Sequence, residues 1–202
     1  MTIKVCGIND VSNYEKVREL EINMIGLNFY PKSKRYVTDK NMIKSTRMNK
    51  SIVGVFVDED MDIIKSLHDQ YQFEYIQCHG HESVQKCKAI QELTKIIKVF
   101  SISEVEDFQE CKDFLFADLF LFDTMTKEYG GSGLKFDWDL LDHYKEEIPF
   151  LLAGGISNID ISSIKQIDHP EFLGIDINSK YEITPGIKDI NMIDTLLNNI
   201  NQ

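Results

Sequence analysis

The chain has 202 residues, a formal net charge of -11 at pH 7 and a sequence pI of about 4.9. Binding to a phosphate backbone requires clustered positive charge, so this composition argues against a nucleic-acid-binding protein. No apolar run approaches the roughly 18 residues of a membrane span, and the first residues lack the long apolar segment of a signal peptide. We therefore expect a cytoplasmic protein that contacts neither nucleic acid nor membrane.

The cysteines show no spacing typical of a metal or redox site. Cys6, Cys78, Cys87 and Cys111 form neither a CxxC nor a CxxxC motif, so the sequence predicts no zinc site and no dithiol centre. In a reducing compartment these residues are expected to be free thiols.

Short apolar runs alternate along the chain with longer segments of helical periodicity. The predicted strands, in chain order, are Ile3–Cys6, Met24–Phe29, Ile52–Val57, Phe73–Gln77, Lys95–Phe100, Leu119–Phe122, Phe150–Ala153 and Phe172–Ile177. The clearest predicted helices are Asn13–Glu21, Met61–Gln70, Ser83–Leu93 and Ile159–Ile167, and Ser103–Lys112 is a short helix at best.

Continuous apolar strands separated by helices indicate a parallel sheet covered by helices. Eight such units favour a closed (β/α)8 TIM barrel, here a compact version with short loops, because the usual length is about 250 residues. No linker composition interrupts the chain, so we predict a single domain over residues 1–202. A doubly wound sheet of five or six strands gives a similar alternation and is the alternative fold.

Polar residues stand where the predicted strands end, which is where parallel barrels place their active sites. Side chains alternate along a strand, so Lys4 and Cys6 share one face, as do Leu119, Leu121 and Asp123. A thiol is a base only as thiolate, and the charge of Lys4 would favour that form. Apolar neighbours would raise the pKa of the Asp123 carboxyl and keep its proton available.

Each of these residues also has a purely structural interpretation. A lone cysteine in an apolar strand is most often a packed small side chain, and an Asp-Thr pair after a strand is often a turn or a helix cap. Cys6 and Asp123 therefore gain meaning only if the fold brings them together.

Glycine-containing turns follow predicted strands six and seven, and Asn178-Ser179 follow strand eight. Glycine lets backbone amides approach a phosphate closely, and barrels commonly bind phosphate after strands seven and eight. The predicted phosphate-binding residues are Gly131, Gly133, Gly154, Gly155, Asn178 and Ser179. The segment Gly130–Gly133 is also predicted to form a loop that folds over the ligand.

Six segments in the same order span nearly the whole chain and together resemble the phosphoribosylanthranilate isomerase family of tryptophan biosynthesis. They are Lys4-Val5-Cys6-Gly7-Ile8, Phe29 to Val37, Gln77-Cys78-His79-Gly80, Gly130-Gly131-Ser132-Gly133 through Trp138, Leu151-Leu152-Ala153-Gly154-Gly155, and Gly174-Ile175-Asp176 through Pro185-Gly186-Ile187-Lys188-Asp189.

The resemblance implies an Amadori rearrangement of N-(5-phosphoribosyl)anthranilate that needs no cofactor and no metal. An acid opens the furanose ring to a Schiff base, and a base then removes the C2' proton. By the match of motifs, Cys6 is the base, Asp123 is the acid, and Arg35 contacts the anthranilate carboxylate. Gln77, His79 and Asp176 would bind or orient the substrate. The implied partner is thus a small phosphorylated molecule, and the protein would be a monomer or a homodimer.

Several positions depart from the family pattern. Leu134 precedes Lys135 after the glycine loop, Cys78 replaces a common leucine, and Lys180 stands where a glycine is usual. Three other functions stay open: a related sugar-phosphate isomerase of histidine biosynthesis, a barrel that binds ligand without catalysis, and a thiol redox protein. The first normally has an aspartate at the position of Cys6, the second needs neither catalytic residue, and the third lacks a resolving cysteine nearby.

Overall fold

Eight parallel strands close into a barrel in which β1 pairs with both β2 and β8. The computed structural model describes residues 1–39, 42, 50–124 and 138–201. The barrel strands are β1 (Thr2–Cys6), β2 (Met24–Asn28), β3 (Ser51–Phe56), β4 (Tyr75–Cys78), β5 (Lys95–Ile102), β6 (Leu119–Thr124), β7 (Phe150–Leu152) and β8 (Phe172–Ile177). The predicted TIM barrel is confirmed, and the open-sheet alternative is wrong.

Alternation along the strands divides the apolar residues into two layers. One buried cluster fills the barrel and includes Cys6, Val53, Leu119 and Leu121. A larger cluster lies between the barrel and the surrounding helices. The predicted parity is therefore correct, and it puts Cys6 and the two leucines before Asp123 inside the barrel.

Three of the four predicted helices are shorter than expected. The observed helices are α1 (Val11–Val17), α2 (Met61–Tyr71), α3 (Val84–Gln91), α4 (Ile161–Ile164) and α5 (Ile190–Asn201). Helix α1 begins two residues before the predicted start because Asp10 caps it, accepting a hydrogen bond of 2.7 Å from the Asn13 amide. The predicted helix Ile159–Ile167 is reduced to α4, preceded by a 3-10 turn, and Ile159 is 80% exposed, so its apolar side chain faces no core.

The chain between β5 and β6 forms a 3-10 helix, Val105–Phe114, in agreement with the weak helical signal there. Two elements follow β8 that the strand pattern did not predict, namely an antiparallel hairpin of β9 (Glu182–Thr184) and β10 (Ile187–Lys188), and helix α5. The hairpin turns at Gly186, whose φ of 93° is in the left-handed region that favours glycine. This hairpin matters for the site, because it brings Glu182 and Lys188 to the mouth of the barrel.

Candidate functional site

A cavity of about 230 Å³ opens at the ends of the barrel strands. It brings together nine of the residues predicted from the sequence: Cys6, Gln77, His79, Asp123, Gly154, Gly155, Asp176, Asn178 and Ser179. Asn28, Ile156 and Lys180 also line it and were not predicted. Gly131 and Gly133 lie outside the described residues, and Arg35 lies beside the cavity rather than in its lining.

Cys6 ends β1 with its side chain on the inner face of the barrel, where it is 5% exposed. Burial raises the pKa of the Cys6 thiol above its ordinary value, and the nearby Lys4 and Lys188 ammonium groups lower it only in part. Lys4 acts in the predicted direction, but desolvation of a buried anion is the larger effect.

Lys4 is fully buried inside the barrel, and its Nζ donates a hydrogen bond of 2.7 Å to Asp176 Oδ2. The parallel register of β1 and β8 sets this pair directly opposite. Burial by itself lowers the pKa of Lys4, but the attraction of Asp176 and their hydrogen bond outweigh it, so the pKa lies above its ordinary value. Asp176 is therefore held as the partner of a buried lysine.

We expect alkylation to report the high pKa of Cys6. The pH at which iodoacetamide labelling of Cys6 is half-maximal should lie above that of the same thiol in urea-denatured protein, because only the folded chain buries the anion. Peptide mass analysis separates Cys6 from the other three thiols, which are also buried. A midpoint below that of the denatured chain would mean that the neighbouring cations outweigh burial.

Asp123 lies near the end of β6, opposite Ser101 of β5, with about one third of its side chain exposed (32%). His79 Nε2 is 3.7 Å from Asp123 Oδ2. Gln77 Nε2 lies 2.9 Å from His79 Nδ1. An amide NH2 group can only donate, so this contact fits a neutral imidazole in which Nδ1 accepts and Nε2 faces Asp123.

The loop that carries His79 is held by a buried ion pair. Glu82 accepts hydrogen bonds from the backbone amides of Asp58 and Gly80, and Lys98 Nζ lies 3.1 Å from Glu82 Oε2. Lys98 also donates a hydrogen bond of 2.7 Å to the Gly80 carbonyl. Neither residue was predicted. Lys98 lies within β5 and Glu82 precedes α3, and nothing in the sequence indicates that their charges are buried together.

His79 has 39% of its side chain exposed at the cavity, but the surrounding protein still desolvates its ring. This desolvation lowers the pKa of His79 to about 4, assisted by the positive charges of Lys4 and Lys98. We therefore expect the His79 resonance in a histidine NMR titration to have a midpoint near pH 4, and near 6.5 in urea. A His79→Gln variant assigns the resonance by removing it. A midpoint at or above 6.5 in the folded protein would contradict a neutral imidazole.

The turn after β7 has the conformation expected of a glycine pair. Gly154 and Gly155 have φ angles of 89° and 65°, both in the left-handed region. Across the cavity mouth, Asn178 and Ser179 begin a 3-10 turn after β8. Lys180, noted from the sequence only as a departure from a family glycine, supplies a cation to the same lining.

Arg35 is held by a carboxylate that the sequence did not indicate. Its Nε and Nη2 donate hydrogen bonds of 2.8 and 2.6 Å to the two oxygens of Glu182, and these bonds raise its pKa. A Cβ on Gly7, at φ 80°, would lie 2.6 Å from Arg35 Cδ, so glycine is required for the side chain to cross the end of β1. Arg35 therefore packs against Gly7, the residue that follows Cys6, without lining the cavity.

Lys188 is the other partner of Glu182. Its Nζ donates 2.8 Å to Glu182 Oε1 and 2.7 Å to Asn178 Oδ1, and burial lowers its pKa despite these bonds. Lys188 belongs to the run Pro185-Gly186-Ile187-Lys188-Asp189 that contributed to the family resemblance, whereas nothing in the sequence indicated a role for Glu182. The pair joins the hairpin to the cavity rim.

The strand ends of this closed parallel barrel bring together a thiol, a carboxylate, an imidazole and a glycine turn. This arrangement is typical of a (β/α)8-barrel enzyme, and its titratable groups are of the types that transfer protons. Among the residues that the structure covers, no helix is long and apolar enough to cross a membrane.

Residues 3–199 match the family model described as N-(5'-phosphoribosyl)anthranilate isomerase, and the chain belongs to that family. It is 41% identical over 206 aligned positions to the N-(5'-phosphoribosyl)anthranilate isomerase of Parabacteroides distasonis, covering 99% of this chain and 93% of the relative. The crystal structure of the Thermotoga maritima isomerase superposes with a TM-score of 0.85 at 30% identity, covering 100% of this chain and 98% of the other. A second isomerase structure, at 26% identity and a TM-score of 0.83 with the same coverage, holds reduced 1-(o-carboxyphenylamino)-1-deoxyribulose 5-phosphate.

Proposed function

We propose that Cys6 and Asp123 carry out the isomerisation of N-(5'-phosphoribosyl)anthranilate, as base and acid respectively. Family membership assigns the reaction, which belongs to tryptophan biosynthesis. The observation that supports the assignment of roles is that a thiol on β1 and a carboxylate on β6 line the same cavity. Two other titratable groups in the lining are less suited to these roles. Asp176 is paired with Lys4, and the lowered pKa of His79 keeps its ring neutral.

The protons balance across the two residues. The Asp123 carboxylic acid gives its proton to the furanose ring oxygen, the C1'–O bond breaks, and the anthranilate nitrogen takes up the charge as a Schiff base. The Cys6 thiol passes its proton to solvent, and the resulting thiolate takes the C2' proton, so that the electron pair left behind forms an enolamine. Solvent returns a proton to the Asp123 carboxylate, which restores both residues for the next turnover. Tautomerisation moves the hydroxyl proton at C2' to C1' and yields the ketone, so no electrons leave the substrate.

Two buried oxygens support a binding role for Gln77 and Asp176. Gln77 Oε1 and Asp176 Oδ1 are both buried without a hydrogen-bond partner among the described residues, and both side chains line the cavity. A buried acceptor without a donor is unfavourable, so a substrate that brings hydroxyl groups would satisfy both. We assign these oxygens to the sugar hydroxyls.

The opposite ends of the substrate are anionic, and cationic or amide-rich groups are placed for each. The Gly154-Gly155 turn, Asn178 and Ser179 are proposed to bind the phosphate, with Lys180 close by. The predicted contributions of Gly131 and Gly133 fall on residues outside the described ranges. Arg35 is proposed to bind the anthranilate carboxylate with the part of its guanidinium that Glu182 leaves unused.

The direct test is loss of anthranilate-type fluorescence when the phosphoribosyl conjugate is generated in situ and the purified protein is added. Conversion should yield the deoxyribulose phosphate product, identified by mass spectrometry after reduction. Protein heated until it unfolds is the control for spontaneous rearrangement. Equal rates with folded and unfolded protein would refute the proposal.

We further propose that the enzyme acts in the cytoplasm as a monomer or a homodimer. A crystal structure of monomers generated from the dimeric isomerase of Thermotoga maritima, at 28% identity and a TM-score of 0.82, supports considering both states. Sedimentation equilibrium distinguishes them, since one chain has a mass of 23.4 kDa.

A further inference from the structure

We propose that Glu182 is a positioning residue that presents Arg35 to the substrate carboxylate, and thereby sets the preference for an aromatic amine bearing a carboxylate next to its nitrogen. This inference rests on the proposed function, since it takes Arg35 to be the carboxylate-binding group. It adds a residue on the β9 strand to a site otherwise formed by the barrel strands and their loops.

The contact between the two side chains fixes the plane of the guanidinium. Glu182 is 4% exposed and Arg35 is 23% exposed, and their two parallel hydrogen bonds of 2.8 and 2.6 Å form the fork arrangement that arginine makes with carboxylates. A flexible arginine loses rotamer entropy when it is ordered, and Glu182 orders it before the substrate arrives.

Glu182 occupies only part of the guanidinium. It takes one hydrogen from Nε and one from Nη2, whereas a guanidinium has five N–H donors. Within the described residues no hydrogen bond from Nη1 is recorded. The end formed by Nη1 and Nη2 is therefore suited to a second carboxylate, and one arginine can bind Glu182 and the substrate together.

Glu182 is itself fixed by the hairpin that carries it. Its Oε1 accepts hydrogen bonds of 2.8 Å from Lys188 Nζ and 3.0 Å from the Gly186 amide. Lys188 continues to Asn178 Oδ1 in the cavity lining. These bonds connect the proposed carboxylate site with the proposed phosphate side, so Glu182 does more than neutralise one cation.

Charge alone predicts the opposite result from positioning. Arg35 and Lys188 carry two positive charges against the single negative charge of Glu182. Removing that negative charge would strengthen the attraction for any anion. Loss of positioning instead weakens recognition of the carboxylate specifically. The preference for a substrate with the carboxylate over one without it separates the two effects.

The experiment compares Glu182→Gln with wild type on N-(5-phosphoribosyl)anthranilate and on the aniline conjugate that lacks the carboxylate. We expect the ratio of kcat/KM for the two substrates to fall about 10- to 100-fold in the variant, mainly through KM, because a charge-assisted contact is lost. Activity on the aniline conjugate should change little. Glu182→Asp keeps the charge and should retain more of the ratio. Glu74 precedes β4 and so lies at the opposite end of the barrel from the cavity, and the control Glu74→Gln should retain the whole ratio.

A ratio unchanged or increased in Glu182→Gln would overturn the inference. Wild-type protein that fails to convert the anthranilate conjugate would instead overturn the proposed function, so the two failures are distinguishable. Should Glu182→Gln fold poorly, ¹⁵N NMR of wild-type arginine side chains gives the same test. The Arg35 Nε–H signal should stay protected from exchange both without ligand and with the reduced product analogue, and loss of protection on binding would show that the substrate displaces Glu182.

Discussion

Replacing Asp123 with Asn is expected to lower kcat about 10²- to 10⁴-fold with little change in KM, the range typical of losing a general acid. Asparagine has nearly the same shape but no acidic proton to give to the ring oxygen. Cys6→Ala should produce a loss in the same range, because Cys6 is the one thiol among the described residues that line the cavity. Each substitution therefore raises the activation free energy of the reaction by about 3–5 kcal/mol.

The kinetic steps distinguish the two variants. Asp123→Asn should slow the opening of the ring, so substrate deuterated at C2' should show no primary isotope effect. Cys6→Ala should make removal of the C2' proton limiting and expose a large isotope effect. The rate loss in the double variant should be smaller than the product of the two single losses, because the effects of residues that act in one reaction sequence do not add.

Matched controls come from the same residue types outside the cavity. Asp62→Asn alters an exposed aspartate in the first turn of α2, and Cys111→Ala alters a buried thiol in the 3-10 helix between β5 and β6. Both should retain the wild-type kcat. Full activity in Cys6→Ala or Asp123→Asn would contradict the corresponding assignment.

Lys4→Met is expected to lower the free energy of unfolding by about 3–5 kcal/mol, which is a large part of the stability of a typical domain. Lys4 is 0% exposed and Asp176 8% exposed, so the single substitution leaves a carboxylate inside the barrel without its cation. Urea denaturation at pH 7 measures the change. A loss below about 1 kcal/mol would contradict a structural role for the pair.

Adding Asp176→Asn should restore much of this stability, because a buried pair removed as a whole leaves no unpaired charge. The pH dependence gives a second test. Burial raises the pKa of Asp176, and without Lys4 only the weaker attraction of Lys188 opposes that rise. The folded state then holds the proton more tightly than the unfolded chain. Stability of Lys4→Met should be greatest below the unfolded pKa of about 3.9 and fall as pH rises through the folded value, whereas the double variant should show no such fall.

Much of the fold was predictable because its determinants are local. Apolar runs of strand length and the intervening helical periodicity indicated eight units, and a parallel arrangement of eight units closes. The period of two along each strand then told which residues face inward, so Cys6, Gln77, Asp123 and Asp176 could be assigned to the mouth of the barrel. Helix lengths were less predictable, since the apolar residue Ile159 faces solvent and no local signal says so.

The amino-acid sequence by itself determined the barrel and the identity of the polar residues at its strand ends, because both follow from short-range patterns. The tertiary structure decided how those residues are paired. Lys4 and Asp176 are 172 positions apart, and Arg35 and Glu182 are 147 apart, so their contacts arise only when the barrel closes. It also decided the direction of the Cys6 pKa: the charge of Lys4 can be read from the sequence, whereas the larger contribution of burial is a property of the folded chain as a whole.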